Sequence, residues 1–199
     1  MTDPVTSTVD YASADGLGVI RLNRPQARNA IDPAFVDDLN EAVQRCAADE
    51  TLRALLIRAE GPSFTVGGDV AGFGGLGLSG DGGGTWFLPR LVGMRRAAEL
   101  YFRQRVLQAD EAAAWGLITR VVRDKDLTAE AESAARQLAA GPTRALGEIR
   151  TLLRRSPDAS LADQLLAETA AQSRTVATRD AAHGIECFMT KSRPDFRGW

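Results

Sequence analysis

An Asp-Gly pair at Asp15-Gly16 sits between two runs rich in β-branched residues, in "VTSTVDYASADGLGVIRLNRP". Asp-Gly flanked by such runs is a strong short-range signal for a β-hairpin, because both turn residues must take positive φ. Pro25 ends the second strand, since proline cannot donate to a ladder. Asp32 then stands in the capping position of a helix expected to run to about Glu50, with Phe35, Leu39, Val43 and Cys46 on one face. "LRALLIRAEG" follows as a short buried strand closed by a Gly-Pro turn. The first sixty residues therefore predict β-β-α-β.

Beyond this module comes "SFTVGGDVAGF", a glycine-bearing loop directly after a core strand, and then "GGLGLSGDGGGTWFLPRLVG". Seven of the eleven residues from Gly74 to Gly84 are glycine, and Asp81 is the one charged residue among them. From Thr85 onward the periodicity predicts helices over about 85–103, 109–116, 127–140, 142–155 and 160 to the end, with a short strand at "LITRVV". Leu161, Leu165, Leu166 and Thr169 form an apolar stripe suited to a core or a subunit contact. The reading is α/β, with a core over 1–125 and a helical region over 126–199. No internal repeat of fixed period is present.

Composition narrows the chemistry. The 199 residues carry 44% hydrophobic and 25% charged side chains with a formal net charge of −2, the profile of a soluble globular protein without a basic nucleic-acid surface. No apolar run reaches the length of a membrane span, and the N-terminus lacks a basic-then-apolar signal, so no membrane partner is expected. Two distant cysteines, Cys46 and Cys187, form neither a CxxC pair nor a disulfide framework, which fits free thiols in a reducing cytoplasm. His183 is the single histidine, in an apparent helix near the C-terminus. A multi-histidine metal site is excluded and no metal is expected. A Ser-His-Asp triad would have to use His183, and a packed helical histidine is the simpler reading. Acid-base work falls to carboxylates or backbone groups.

The glycines admit several readings. "GLGLSG" matches GxGxxG, yet no strand precedes it, no helix directly follows it, and Glu99 falls inside a helix, so a dinucleotide site is disfavoured. No Gly-Lys-Ser/Thr occurs, which removes a Walker A loop. In "FTVGGDV" adjacent glycines let a backbone approach a ligand closely, and its N–H groups could stabilise an oxyanion. A plain turn is the competing reading.

With these pieces in order, the sequence resembles the crotonase family of enoyl-CoA hydratases and isomerases. "VIRLNRPQARNAI", "LRALLIRAEGPSFTVGGDV", "LGLSGDGGGTWFLPRLVGMRRAAEL", "ADEAAAWGLITRVV" and "GIECFMTKSRPDF" carry the resemblance over nearly the whole chain. It implies an α/β spiral of ββα units, a helical C-terminal trimerisation region, and a homotrimer or a dimer of trimers. It implies acyl-CoA thioester substrates and no separate cofactor, since coenzyme A is part of the substrate.

By the same resemblance the N–H of Gly68 is the first oxyanion donor. Gln26, Ala27 and Arg28 belong to the loop that contacts CoA. Val66, Gly67, Gly68 and Val70 lie in the segment meeting the adenine, and Phe188 and Lys191 reach CoA from the tail, Lys191 as a point charge for phosphate. Asp81 matches the aspartate of members like the ring-epoxide isomerase, where it shuttles a proton, and the 4-chlorobenzoyl-CoA dehalogenase, where it is a nucleophile. The "DGGGTWFLPR" continuation is closer to the first. The chemistry fits: a thioester enolate needs backbone donors in a dry pocket, and a base, here a carboxylate whose pKa burial would raise. The alternative role for Asp81 is a turn residue or a cap before Thr85.

One departure stands out. Between "DVAGFGG" and "LGLSGDGG" the family carries several dozen more residues, including a core strand and the second oxyanion loop, and the join falls near Gly74-Gly75. The intact flanks favour a segment left out of the sequence. A true deletion would instead point to a non-catalytic, truncated acyl-CoA-binding oligomer, while a nucleotide-binding oxidoreductase is a distant third.

Overall fold

The computed structural model describes residues 7–67, 79–103 and 105–199. Two compact units emerge, one formed by 1–67 with 131–199 and the other by 68–130.

In the first unit β1 (Val9–Ala14) and β2 (Leu17–Leu22) make the expected hairpin, with Val9 opposite Leu22 and Ala14 opposite Leu17. Asp15 and Gly16 both take positive φ, 52° and 76°. Helix α1 (Pro33–Ala48) begins where Asp32 accepts a 2.8 Å hydrogen bond from the Phe35 N–H through Oδ1. Strand β3 (Ala54–Ala59) then pairs parallel to β2, giving the order β1-β2-β3.

The register sorts side chains to two faces. Val9, Ile20 and Leu22 face α1 and cluster with Phe35 and Ala42, with Tyr11, Leu39, Cys46 and Ala59 packed around them. Leu17, Val19, Ala54 and Leu56 face the other way and meet Ala135 and Ala139 of α5 (Leu127–Ala139). Two expectations are corrected here. Ala42, not Val43, sits on the core stripe of α1, and Val43 is half exposed. Strand β3 is covered on one face only: Leu55 and Ile57 are 43% and 48% exposed. They share the α1 face of the sheet by register, yet α1 makes its main contacts with β1 and the cluster around Phe35, which leaves both half exposed.

Strand β1 is also tied to α1 by polar groups. The Asp38 carboxylate accepts from the Thr8 N–H and hydroxyl, both at 2.7 Å, and from the Ser7 hydroxyl at 3.2 Å. These donors hold its pKa below the ordinary value, the Thr8 hydroxyl contributing most. A depressed folded-state pKa adds stability above the unfolded-state pKa, and that stability is lost as pH falls through the folded-state pKa. Asp38→Asn is therefore expected to cost about 0.5–1 kcal/mol at neutral pH. In urea titrations the difference from the parent should begin to shrink as pH falls through about 4, the ordinary carboxylate value, and vanish only below the depressed folded-state pKa. A constant difference across that range would assign the effect to packing rather than to charge.

The remaining helices of this unit are α6 (Thr143–Arg155), α7 (Leu161–Val176) and α8 (Arg179–Thr190). The single helix expected from 160 onward is divided at Ala177–Thr178, where Thr178 accepts from the Ala181 N–H and caps α8. It also ends at Lys191, and the tail folds back. Buried Asp180 accepts from the Arg197 and Gly198 N–H groups at 2.8 Å each. Leu161, Leu165 and Leu166 are 76%, 53% and 70% exposed, so the stripe is a surface and not part of this chain's core.

The second unit holds α2 (Gly84–Val92), α3 (Met94–Arg103) and α4 (Ala109–Ala114). The sequence suggests one helix from 85 to 103, but Gly93 at φ 81° breaks it in two. The expected strand at "LITRVV" does not form. Residues 117–122 are irregular, with no partner strand among the described residues to supply their hydrogen bonds. Among the described residues no helix is long and apolar enough to cross a membrane, and no group of three or more His, Cys, Asp or Glu could hold a metal ion.

Candidate functional site

In the first unit the candidate CoA loop and the glycine loop are built as one object. Pro25–Ala27 forms a short 3-10 turn, after which Arg28 and Asn29 both take left-handed backbone, φ 51° and 55°. Gln26 and Arg28 are exposed and Ala27 is half-buried, so the turn presents its side chains to solvent. Arg24 pairs with Asp32 at 3.1 Å and donates to the Ala30 carbonyl at 2.9 Å, closing the base of the loop.

The centre of this object is Asn29, which the motif reading did not single out. It is fully buried. Its Oδ1 accepts from the Arg24 N–H at 2.8 Å, and its Nδ2 donates to the Glu60 and Ser63 carbonyls at 2.9 and 2.8 Å. Its own carbonyl accepts from the Thr65 hydroxyl at 2.6 Å. The signal available in the sequence was a small amide residue, able to adopt left-handed backbone, set between exposed loop residues and an apolar run.

Two further bonds fix the approach to Gly68. The Ile31 N–H donates to the Gly67 carbonyl at 2.8 Å, and the Gly67 N–H donates to the Thr65 hydroxyl oxygen at 3.1 Å. Gly67 takes φ 82°, which suits glycine and leaves the chain free of a side chain at this bend. Val66 is 44% exposed. Gly68 and Val70 lie outside the described residues, as do Gly75–Leu78 of the GxGxxG match.

Phe188 and Lys191 stand at the end of α8. Phe188 is 82% exposed, and Lys191 is an exposed cap at φ 54° whose N–H reaches back to the Cys187 and Phe188 carbonyls. The histidine is packed: its Nε2 accepts from the Asp195 N–H at 3.1 Å, and it lies 3.5 Å from the Cys187 sulfur. Cys187 is buried, Cys46 is half-buried, and both are free thiols.

In the second unit Asp81 opens a tight turn. Its carbonyl accepts from the Gly84 N–H at 3.0 Å, while Gly82 and Gly83 take φ 57° and 79°. Two consecutive positive φ values explain why glycines follow the aspartate. Gly83, not Asp81, is the cap of α2, and no side chain caps it. Asp81 is exposed, not buried as the sequence suggested. Phe87 lies against Gly83 and meets Trp86 edge-to-face at 4.7 Å, and Arg90 stacks on Trp86 at 3.9 Å. The Tyr101 ring from α3 lies against Gly80 and Gly84, a neighbour of the turn that sequence spacing does not reveal.

Comparison with known proteins matches this framework. Two profiles described as enoyl-CoA hydratase/isomerase cover residues 17–75 and 71–198, and they meet where the sequence departs from the family pattern. The 1,2-epoxyphenylacetyl-CoA isomerase of Escherichia coli is 35% identical over 250 aligned positions, spanning 92% of this chain and 95% of that protein. An alignment of 250 positions exceeds a chain of 199 residues, so more than 50 positions of that relative have no counterpart here. A 4-chlorobenzoyl coenzyme A dehalogenase of Arthrobacter is 26% identical, spanning 77% of this chain and 80% of its own. The crystal structure of an enoyl-CoA hydratase/isomerase from Mycobacterium abscessus superposes with a TM-score of 0.92 at 28% identity, covering 96% of this chain and all of that one. On these grounds the chain belongs to the enoyl-CoA hydratase/isomerase family and has its crotonase-like fold.

Proposed function

We propose that this protein binds an acyl-CoA thioester and moves a proton next to its carbonyl, with the Gly68 N–H as a donor to the thioester oxygen and Asp81 as the acid-base group. The observation that carries the reading is the pinned bend at Gly67, whose carbonyl and N–H are both engaged and which leads directly into Gly68. In the step proposed, the Asp81 carboxylate takes a proton from carbon, and the electron pair left behind is delocalised onto the carbonyl oxygen. Asp81 then returns the proton at another position. Gln26, Ala27, Arg28, Val66, Val70, Phe188 and Lys191 would hold the CoA portion, with no separate cofactor.

The relative at 35% identity is named for isomerisation of 1,2-epoxyphenylacetyl-CoA, which makes a ring epoxide on an aromatic acyl-CoA the first substrate to test. Purified protein should convert it without consuming crotonyl-CoA, followed at the enoyl thioester absorbance. Rapid loss of that absorbance would make the protein a hydratase instead.

A second reading has its own support in the positions that have no counterpart here. In it the chain binds acyl-CoA without turnover, the second oxyanion donor being absent. An intact mass near 21.3 kDa, with calorimetric CoA binding and no activity, would favour it. In either case the exposed apolar side chains of α7 and α8, from Leu161 to Met189, suit burial against further copies of the chain as a trimer or dimer of trimers. The free thiols suit a reducing cytoplasm.

A further inference from the structure

We infer that Tyr101 is a positioning residue for Asp81, its ring stiffening the glycine turn that carries the proposed acid-base carboxylate. The role rests on the acyl-CoA reading given above, and both residues lie in the second unit. Asp81 is exposed, and among the described residues no hydrogen bond or ion pair holds its carboxylate. The backbone of the turn therefore decides where the carboxylate stands. That backbone is closed by one hydrogen bond, from the Gly84 N–H to the Asp81 carbonyl, around Gly82 and Gly83. Such a turn is soft on its own, because glycine leaves the chain the most conformational freedom.

The Tyr101 ring answers that softness. A Cβ at Gly80 would stand 2.9 Å from Cε1 of the ring, and a Cβ at Gly84 would run into its hydroxyl. Gly80 precedes Asp81 and Gly84 closes the turn, so one ring supports the turn on both sides of the carboxylate. The four glycines divide by cause. Gly82 and Gly83 take positive φ, which glycine suits. Gly80 and Gly84 do not, and what keeps a side chain out of both places is Tyr101. The break at Gly93 separates α3 from α2, and Tyr101 of α3 reaches the glycines at the start of α2. A base that must reach one proton gains from such support, since a misplacement of about 1 Å can cost about 10²-fold in rate.

The test uses the full chain with Tyr101→Ala, Tyr101→Phe and Gly84→Ala, the last alone and combined with Tyr101→Phe. Three quantities are read: kcat on 1,2-epoxyphenylacetyl-CoA, CoA affinity by calorimetry, and amide hydrogen exchange by NMR. The Gly84 N–H reports on the turn. The Gly93 N–H, bonded to the Pro89 carbonyl at the far end of α2, is the internal reference.

Tyr101→Ala is expected to speed exchange at Gly84 about tenfold with Gly93 unchanged, and to lower kcat by about 10–100-fold with CoA affinity within about threefold. Tyr101→Phe keeps the ring and should recover both. Gly84→Ala should lower kcat about tenfold in the parent, because the new methyl and the hydroxyl force ring and turn apart. In the Tyr101→Phe background most of that loss should disappear, since the next ring atom, Cζ, is at 3.6 Å from the Cβ position, an ordinary contact. Should Tyr101→Ala fail to fold, the Gly84 pair still decides the matter, alanine being the better helix former at this position. A parent-like kcat in folded Tyr101→Ala, equal acceleration at Gly84 and Gly93, or an equal effect of Gly84→Ala with and without the hydroxyl would each overturn the positioning role and leave the acyl-CoA reading intact. If the parent turns over neither this substrate nor crotonyl-CoA, the acyl-CoA reading falls and the positioning role falls with it.

Discussion

Asp81→Asn should lower turnover of an acyl-CoA substrate by a factor of about 10²–10⁴, the span that a positioned acid-base group contributes, while CoA affinity stays within about threefold. The substitution is nearly isosteric and leaves the turn intact. The turn is held by the Gly84 N–H donating to the residue 81 carbonyl and by the left-handed glycines at 82 and 83, none of which needs the carboxylate. Asparagine also tolerates turn positions as well as aspartate does. What changes is proton affinity: an amide cannot take a proton from carbon and return it. Parallel measurement of kcat and of CoA binding by calorimetry separates the two. An unchanged kcat would make Asp81 a turn residue and remove it from the chemistry. A loss of CoA affinity equal to the loss of rate would mean that the turn had been disturbed instead.

Phe35→Ala should destabilise the protein by about 3–4 kcal/mol, within the range for truncating a buried aromatic ring. Phe35 is 2% exposed and is the largest side chain of the cluster with Val9, Ile20, Leu22 and Ala42. It sits in the first turn of α1, directly after the Asp32 cap, so the helix start is kept and the cost comes from the void between helix and hairpin. Against a total stability of about 5–15 kcal/mol for a natural domain, the loss is large enough to lower the urea midpoint clearly. Val43→Ala, on the half-exposed side of the same helix, should cost less than about 1 kcal/mol. Equal effects at the two positions would mean that the helix packs on the face suggested by simple i, i+4 counting.

Much of the first unit was legible residue by residue. Asp15-Gly16 specified the hairpin, Asp32 the helix start, and the apolar run at Ala54–Ala59 the third strand, because each depends on backbone preferences within a few residues. The family motifs also led to the loops that carry Gln26–Arg28, Val66 and Gly67. Elements whose existence depends on distant partners were read less well. "LITRVV" has the composition of a strand and forms none, since a strand needs a neighbour to accept its hydrogen bonds. The divisions at Gly93 and at Ala177–Thr178 were smoothed over because helical periodicity continues across both.

The chain by itself determined the hairpin turn at Asp15-Gly16, the cap of α1 and the membership of its motifs in one family. These follow from short-range sterics and from residue types at fixed spacing. Only the tertiary structure decided that Ala42 rather than Val43 faces the core, that Leu55 and Ile57 remain open while α1 covers β1, and that Asn29 joins two loops more than thirty residues apart. The reason is common to all three. A side chain's burial and its hydrogen-bond partners are set by what packs against it from elsewhere in the chain, and periodicity along one element carries no record of that.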